Sequence, residues 1–90
     1  MQTAHLDIRT LPGAMQRPRI GLIVPRHKHT AVERNRLRRR LRELIRLEVL
    51  PKATSGDTLI HVKPDAYDVS FVSLRNELDS IGTWFARMKI

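Results

Sequence analysis

Between Thr30 and Arg46 the chain reads TAVERNRLRRRLRELIR, with seven arginines from Arg34 to Arg46 against a single glutamate. Guanidinium groups stay protonated at neutral pH, so their chemistry is to grip and neutralise anions. Each is a planar fork of N–H donors that matches phosphate oxygens and base edges better than an ammonium does. From Arg26 to Arg46, nine Lys or Arg and two Glu carry a net +7 of the chain's total of +8. The charge is concentrated in one segment. That concentration suits a polyanion, because each phosphate neutralised releases condensed counterions and gains affinity that falls steeply with salt. An ordinary solvated helix face interleaves signs, whereas neighbouring like charges on a helix destabilise it by about 0.2–0.5 kcal/mol per pair. This segment accepts that repulsion without an internal partner.

Other chemistry-bearing residues are sparse. His27 and His29 alternate in a segment with no Cys and no helical i,i+4 partner, which speaks against zinc and for loop residues lying near phosphate. His61 reads as a strand residue, and His5 with Asp7 as two polar positions on an exposed sheet face. No Ser-His-Asp, Cys-His or paired-carboxylate set can be assembled. A stand-alone nuclease therefore lacks its catalytic residues, and no metal ligands are assigned.

The elements that position the arginines follow from periodicity. Ala4 to Leu11 alternates, with Leu6 and Ile8 on one side and His5, Asp7 and Arg9 on the other, as in a half-buried strand. Pro12 and Gly13 supply turn chemistry, and RIGLIVP puts Ile20, Leu22 and Val24 on one face. A hairpin of these two strands is the simple expectation, with Gly21 marking a bulge or a close contact and Pro25 ending the second strand. Thr30 and Glu33 have capping-box spacing. A helix then runs from Ala31 to about Leu50, where Pro51 stops it. Ser55, Gly56 and Asp57 form a turn, TLIHVK a third strand ended by Pro64. Phe71, Leu74, Leu78, Ile81 and Phe85 then mark a second amphipathic helix, capped near Asp68 or Ser70.

On a wheel of 100° per residue, Leu37, Leu41, Leu44, Ile45 and Glu48 cluster on one side of the first helix, all but the last apolar. Asn35, Arg39, Arg42 and Arg46 line the opposite side, with Arg36 and Glu43 beside them. Arg34 and Arg38 lie at the boundary, where their stems can cover core surface while their heads reach water. Two helices on a small mixed sheet of about three or four strands, in the order β-β-α-β-α, bury all three apolar surfaces at once. The fold class is thus an α/β, or α+β, two-layer sandwich. Joining the second and third strands through a helix makes that pair parallel, and the general rule for such crossovers is right-handed.

Ninety residues make one small domain, 1–90, with 41% apolar residues and a pI near 11.3. The chain has no Cys, no apolar run of the roughly 18 to 20 residues that cross a bilayer and no signal-peptide plan at Met1 to Arg9. A cytoplasmic protein with no membrane partner, no protein partner and no cofactor of its own is expected.

Ala31 to Glu43, AVERNRLRRRLRE, resembles the signature of the bacterial ribonuclease P protein component. This is the small basic subunit of the RNA-based enzyme that removes the 5′ leader from precursor tRNA. GLIVPR, Gly21 to Arg26, resembles the strand before that signature. LIHVKPDAYDVSFVSLRNEL, Leu59 to Leu78, resembles the family's last strand and helix. The resemblance spans roughly His5 to Ile81. It implies a sandwich in which the arginine helix crosses between two parallel strands in the rare left-handed sense, against the general rule. It also implies docking of that helix on the catalytic RNA through Arg34, Asn35, Arg36, Arg38, Arg39 and Arg42, with Arg26 at the end of the preceding strand. Lys28 and Arg46, from the same basic block, complete the expected RNA-binding set. The partners implied are the ribonuclease P RNA and precursor tRNA. The RNA holds the catalytic Mg²⁺, and the protein secures substrate, leader and metal affinity without cutting.

Departures from the family pattern accompany this. Members usually begin with a further helix and an Arg-rich segment bearing aromatic residues for the single-stranded leader, whereas this chain starts almost at the strand. Its four aromatics, Tyr67, Phe71, Trp84 and Phe85, lie in the C-terminal third, so no N-terminal stacking platform is expected. His27 stands where Lys is usual, Pro25 where a small polar residue is, and His29 where Gly is, which alters the loop delivering Arg26. Two rival readings are a basic leucine-zipper helix and a general structured-RNA or ribosome-associated protein. The first needs apolar heptads downstream, where Pro51 intervenes. The second keeps the electrostatics without ribonuclease P activity.

Overall fold

Strict alternation builds the sheet. The computed structural model describes residues 1–11, 17–53 and 56–88. In β3 (Gly56–Val62), Thr58, Ile60 and Val62 are buried while Leu59 and His61 face outward. β1 (Leu6–Leu11) buries Leu6 and Ile8, and β2 (Pro18–Ile23) half-buries Ile20 and Leu22. Strand order is β1-β3-β2. β1 runs antiparallel to β3 with Ile8 opposite Ile60, and β2 runs parallel to it with Leu22 opposite Ile60.

The expected hairpin of the first two strands does not form. Both pair with β3, whose Ile60 and Val62 are fully buried at the sheet's centre. Pro18 has no N–H to give a ladder and is tolerated at the start of β2 because that strand is an edge. The parallel β2–β3 pair, joined through a helix, is as expected. The turn assigned to Pro12 and Gly13 lies outside the described residues, as does Ser55, while Gly56 and Asp57 already belong to β3.

Helix α1 (Ala31–Leu44) opens on the expected capping box: Thr30 Oγ1 accepts from the Glu33 amide at 3.1 Å, and the Thr30 amide donates back to Glu33 Oε1 at 3.3 Å. It does not continue as an α-helix to Leu50. A π turn, Ile45–Val49, follows and closes with the Leu50 amide on the Ile45 carbonyl; a 3₁₀ turn then covers Leu50–Lys52. Pro51 cannot donate, and its ring would clash with the carbonyl four residues back, so the helix widens there. The extra residue also shifts the helical phase. Val49 takes the core position, fully buried, and Glu48 swings to the margin, where Oε1 accepts from Arg75 Nε at 3.3 Å. The one polar residue of the predicted apolar stripe is relieved in this way.

A 3₁₀ turn, Pro64–Asp68, leads into α2 (Phe71–Met88), capped by Ser70, whose Oγ accepts from the Ser73 amide at 3.2 Å. Leu74, Leu78, Ile81 and Phe85 are buried as the spacing predicts, and Trp84 packs edge-on against Phe85 with centroids 5.1 Å apart. Phe71 is not in the core: it is the first residue of α2 and stands 46% exposed, while Ala66 and Leu74 are buried and Val69 packs against the core. α2 crosses the π turn at Gly82, where a Cβ would run into the Glu48 carbonyl. Both helices cover one face of the sheet, and the other face is open.

The reading of His5 as an exposed sheet position is also corrected. Its ring Nδ1 lies 2.8 Å from Glu77 Oε2 of α2, its amide donates to Glu77 Oε1 at 2.7 Å, and Thr3 Oγ1 donates to the same oxygen at 2.6 Å. This carboxylate ties the first residues of the chain to α2.

Candidate nucleic-acid interface

With Leu37, Leu41 and Leu44 buried against the sheet, helical geometry turns the arginines outward. Asn35, Arg36, Arg39, Arg40, Arg42 and Arg46 are exposed, and Arg34 and Arg38 are half-buried at the boundary, as the wheel requires. Among the described residues, no carboxylate lies within 4 Å of a nitrogen of Arg36, Arg38, Arg39, Arg40 or Arg42. Arg46 differs. Its guanidinium forks onto Glu43 at 2.6 and 3.2 Å, which raises the arginine's pKa and holds the Glu43 carboxyl below the usual range. Arg34 is likewise partly committed, donating through Nε to the Val24 carbonyl at 2.7 Å and so fixing the helix to the end of β2.

Arg26 and Lys28 lie in the turn between β2 and α1. The Arg26–His29 turn closes with the His29 amide on the Arg26 carbonyl at 2.9 Å, and its two central residues, His27 and Lys28, have φ of 33° and 52°. Left-handed backbone costs a non-glycine residue roughly 1–2 kcal/mol, so surrounding contacts must impose it. Arg26 Nε reaches the His29 carbonyl at 3.2 Å, Tyr67 Oη donates to the Pro25 carbonyl at 2.6 Å, and the His29 ring stacks on Tyr67. Contrary to the expectation from sequence, His29 does have an i,i+4 partner: Nδ1 lies 2.7 Å from Glu33 Oε2. That contact first, and then the Thr30 amide and hydroxyl, hold the Glu33 carboxyl below its usual range. Burial pushes the Tyr67 phenol up.

Among the described residues, concavities flank the helix on three sides. One on its crest is lined by Val32, Asn35, Arg36, Arg39 and Arg40. A second, beside the free edge of β2, has Arg38, Arg42 and Arg46 along one wall. A third lies toward α2, where Arg36 and Arg40 face Tyr67 and Phe71. Arg40 is missing from the sequence-derived set, which followed the positions matching the family signature; the structure leaves it exposed between two of the grooves. Tyr67 is missing as well, since no periodicity marks a 3₁₀ turn. On the opposite layer, the open sheet face forms a shallow trough of about 720 Å³ with Leu11 and Leu59 on its floor and Arg9 and Arg19 at its sides. Arg19 is forked onto Asp57 at 2.9 and 3.0 Å.

Fold and site together define a class: a small mixed sheet, backed by two helices, that presents an unneutralised arginine crest on the helix crossing between parallel strands. The chain belongs to the ribonuclease P protein family, whose model, described as Ribonuclease P, matches residues 1–86. A ribonuclease P protein component from Chloroflexus aurantiacus is 33% identical over 78 residues, and one from Thermus brockianus is 41% identical over 70. These matches cover 84% and 78% of this chain but 57% and 40% of the relatives, so the chain spans about half the length of the curated proteins it matches. The RNase P protein of Staphylococcus aureus superposes with a TM-score of 0.80 at 19% identity, over 93% of this chain and 77% of that one. That of Thermotoga maritima gives 0.77 at 22%, over 100% and 83%. At such identities these two likenesses speak for the fold.

Proposed function

We propose that this chain is the protein subunit of a ribonuclease P, binding the catalytic RNA and assisting removal of the 5′ leader from precursor tRNA in the cytoplasm. The observation that carries this reading is the crest of Arg36, Arg38, Arg39, Arg40 and Arg42, which has no carboxylate partner among the described residues. A like-charged helix is paired in its working state, and phosphates are the partners it fits. Asn35 adds an amide able to read a base edge or a 2′-hydroxyl. Arg26 and Lys28, held on the strained turn, extend the cationic surface past the helix start.

The protein's part is electrostatic and positional. Its crest supplies cations, which neutralise phosphate; carboxylates and imidazoles, which ligate metal, form no cluster of three or more among the described residues. We assign the catalytic Mg²⁺ to the RNA, as the family resemblance implies. By lowering the phosphate repulsion between catalytic RNA and substrate, the crest reduces the Mg²⁺ needed to bring them together. The test is cleavage of precursor tRNA by a bacterial ribonuclease P RNA at low Mg²⁺, with and without the chain. Stimulation supports the reading; none overturns it, and cleavage by the chain alone would replace it with a nuclease.

A further inference from the structure

Phe71 breaks the pattern of its own helix. Its spacing from Leu74 and Leu78 is that of a core residue, yet it stands 46% exposed, with Val72, 64% exposed, beside it. Its neighbours make this exposure specific. Phe71 lines the groove between the first half of α1 and the start of α2, with Arg36 and Arg40 on the α1 wall and Tyr67 and Asp68 on the other. The groove holds about 230 Å³, below the roughly 300–1,000 Å³ of sites for drug-sized ligands, so its occupant is no larger than a single base. Arg36 and Arg40 also line the crest, and the two surfaces are therefore continuous.

We propose that this groove is a stacking subsite for one unpaired nucleotide of the RNA bound along the crest, an inference resting on the RNA-binding reading above. The base lies against the exposed Phe71 ring, and its phosphate meets Arg36 and Arg40. Charge complementarity sets that orientation. Two carboxylates line the groove: Glu33, held by Thr30 and His29, and Asp68, which repels phosphate and can accept a hydrogen bond from a base amino group. Unpaired bases stack on aromatic faces with little regard to sequence, and duplexed bases do not offer theirs.

The test titrates the full chain with a bacterial ribonuclease P RNA over a range of salt concentrations. Phe71→Ala and Phe71→Leu should each weaken binding by roughly 5- to 150-fold, the worth of one stacked base, and leave the slope of log K against log[salt] unchanged because no ion pair is lost. Phe71→Trp should retain affinity and show an RNA-dependent change in tryptophan fluorescence. Arg39→Ala with Arg42→Ala is the control for the underlying reading, since it should lower both affinity and slope. Suppose that double variant behaves so, while Phe71→Ala and Phe71→Leu bind within twofold of the parent and the emission of the Phe71→Trp variant ignores RNA. The subsite is then overturned and the crest stands. If neither set changes binding, the RNA-binding reading falls first.

Discussion

The imidazole of His29 lies flat on the ring of Tyr67, with centroids 3.7 Å apart and planes 9° from parallel. This stack joins the turn ahead of α1 to the 3₁₀ turn ahead of α2, two segments far apart in the chain. Tyr67 Oη simultaneously holds the Pro25 carbonyl at 2.6 Å. Together these contacts impose the left-handed conformation of His27 and Lys28 and so aim Arg26 and Lys28 outward. The cationic patch is thus built partly by a stack of two rings and a hydrogen bond to a backbone carbonyl.

Tyr67→Phe isolates the hydroxyl. It should lower stability by about 0.5–1.5 kcal/mol, the usual net worth of one hydrogen bond, and weaken RNA binding modestly by loosening the turn. Tyr67→Ala removes the stack too and should lower affinity further with the salt slope reduced, since Arg26 and Lys28 lose their placement. Denaturant midpoints and salt-dependent titrations measure both. An unchanged slope in Tyr67→Ala would mean that the turn's cations do not touch phosphate.

Gly82→Ala tests the crossing of α2 over the π turn. The methyl would meet the Glu48 carbonyl, a backbone atom with no flexible end to yield, and Lys52 Cδ at 3.2 Å. Overpacking of this kind costs about 1–3 kcal/mol, which for a domain of this size lowers Tm by roughly 4–8 °C per kcal/mol. Alanine's better helix propensity offsets at most about 1 kcal/mol. A Tm equal to or above the parent's would show that the crossing can relax.

The arginine helix was legible because two independent signals agreed on it. Thr30 and Glu33 marked its start, and the leucine period marked its inner face, so the outward row followed by geometry. The strand partners were not legible. Leu6 to Leu11 and Ile20 to Ile23 alternate equally well beside each other or beside β3, and proximity in sequence favoured the wrong choice. Nor could the π turn be read: Glu48 on the apolar stripe signalled a phase error but not where an extra residue would enter. Phe71 had the spacing of a core residue, yet it opens α2 and stands 46% exposed, an end effect that spacing alone does not mark.

Glu77 should make stability pH-dependent in the acid range. Burial pushes its carboxyl up, but hydrogen bonds from Thr3 Oγ1, the His5 ring and the His5 amide together prevail and hold it below its usual range. A carboxyl whose folded pKa is depressed contributes stability that is present above the ordinary value and lost as pH falls through the folded one. Glu77→Gln should therefore cost about 1–3 kcal/mol at pH 7, by breaking charge-assisted bonds at a largely buried site. At a pH well below the ordinary carboxylate range the variant and parent should converge. Urea unfolding at the two pH values decides it, and a gap that persists in acid would assign the loss to packing.

Arg38 allows function to be separated from stability in one side chain. It is half-buried at the edge of the core, its Nε is buried without a hydrogen-bond partner among the described residues, and its wall of the β2-edge groove is shared with Arg42 and Arg46. Its guanidinium has no carboxylate within 4 Å among the described residues. Arg38→Met keeps the stem, removes an unpaired buried donor and relieves like-charge repulsion with Arg42 four residues on. Stability should hold or rise, because a buried polar group with no partner is a liability in the free protein. RNA affinity should fall several-fold, and the magnitude of the salt slope should drop by about 0.7–0.9, the contribution of one phosphate contact. Arg36→Ala, between the crest and the α2-side groove, should give a similar drop in slope. Parallel measurement of Tm and of RNA binding across salt tests the opposed signs, and a loss of stability together with unchanged binding would show Arg38 to be a structural residue and not a phosphate ligand.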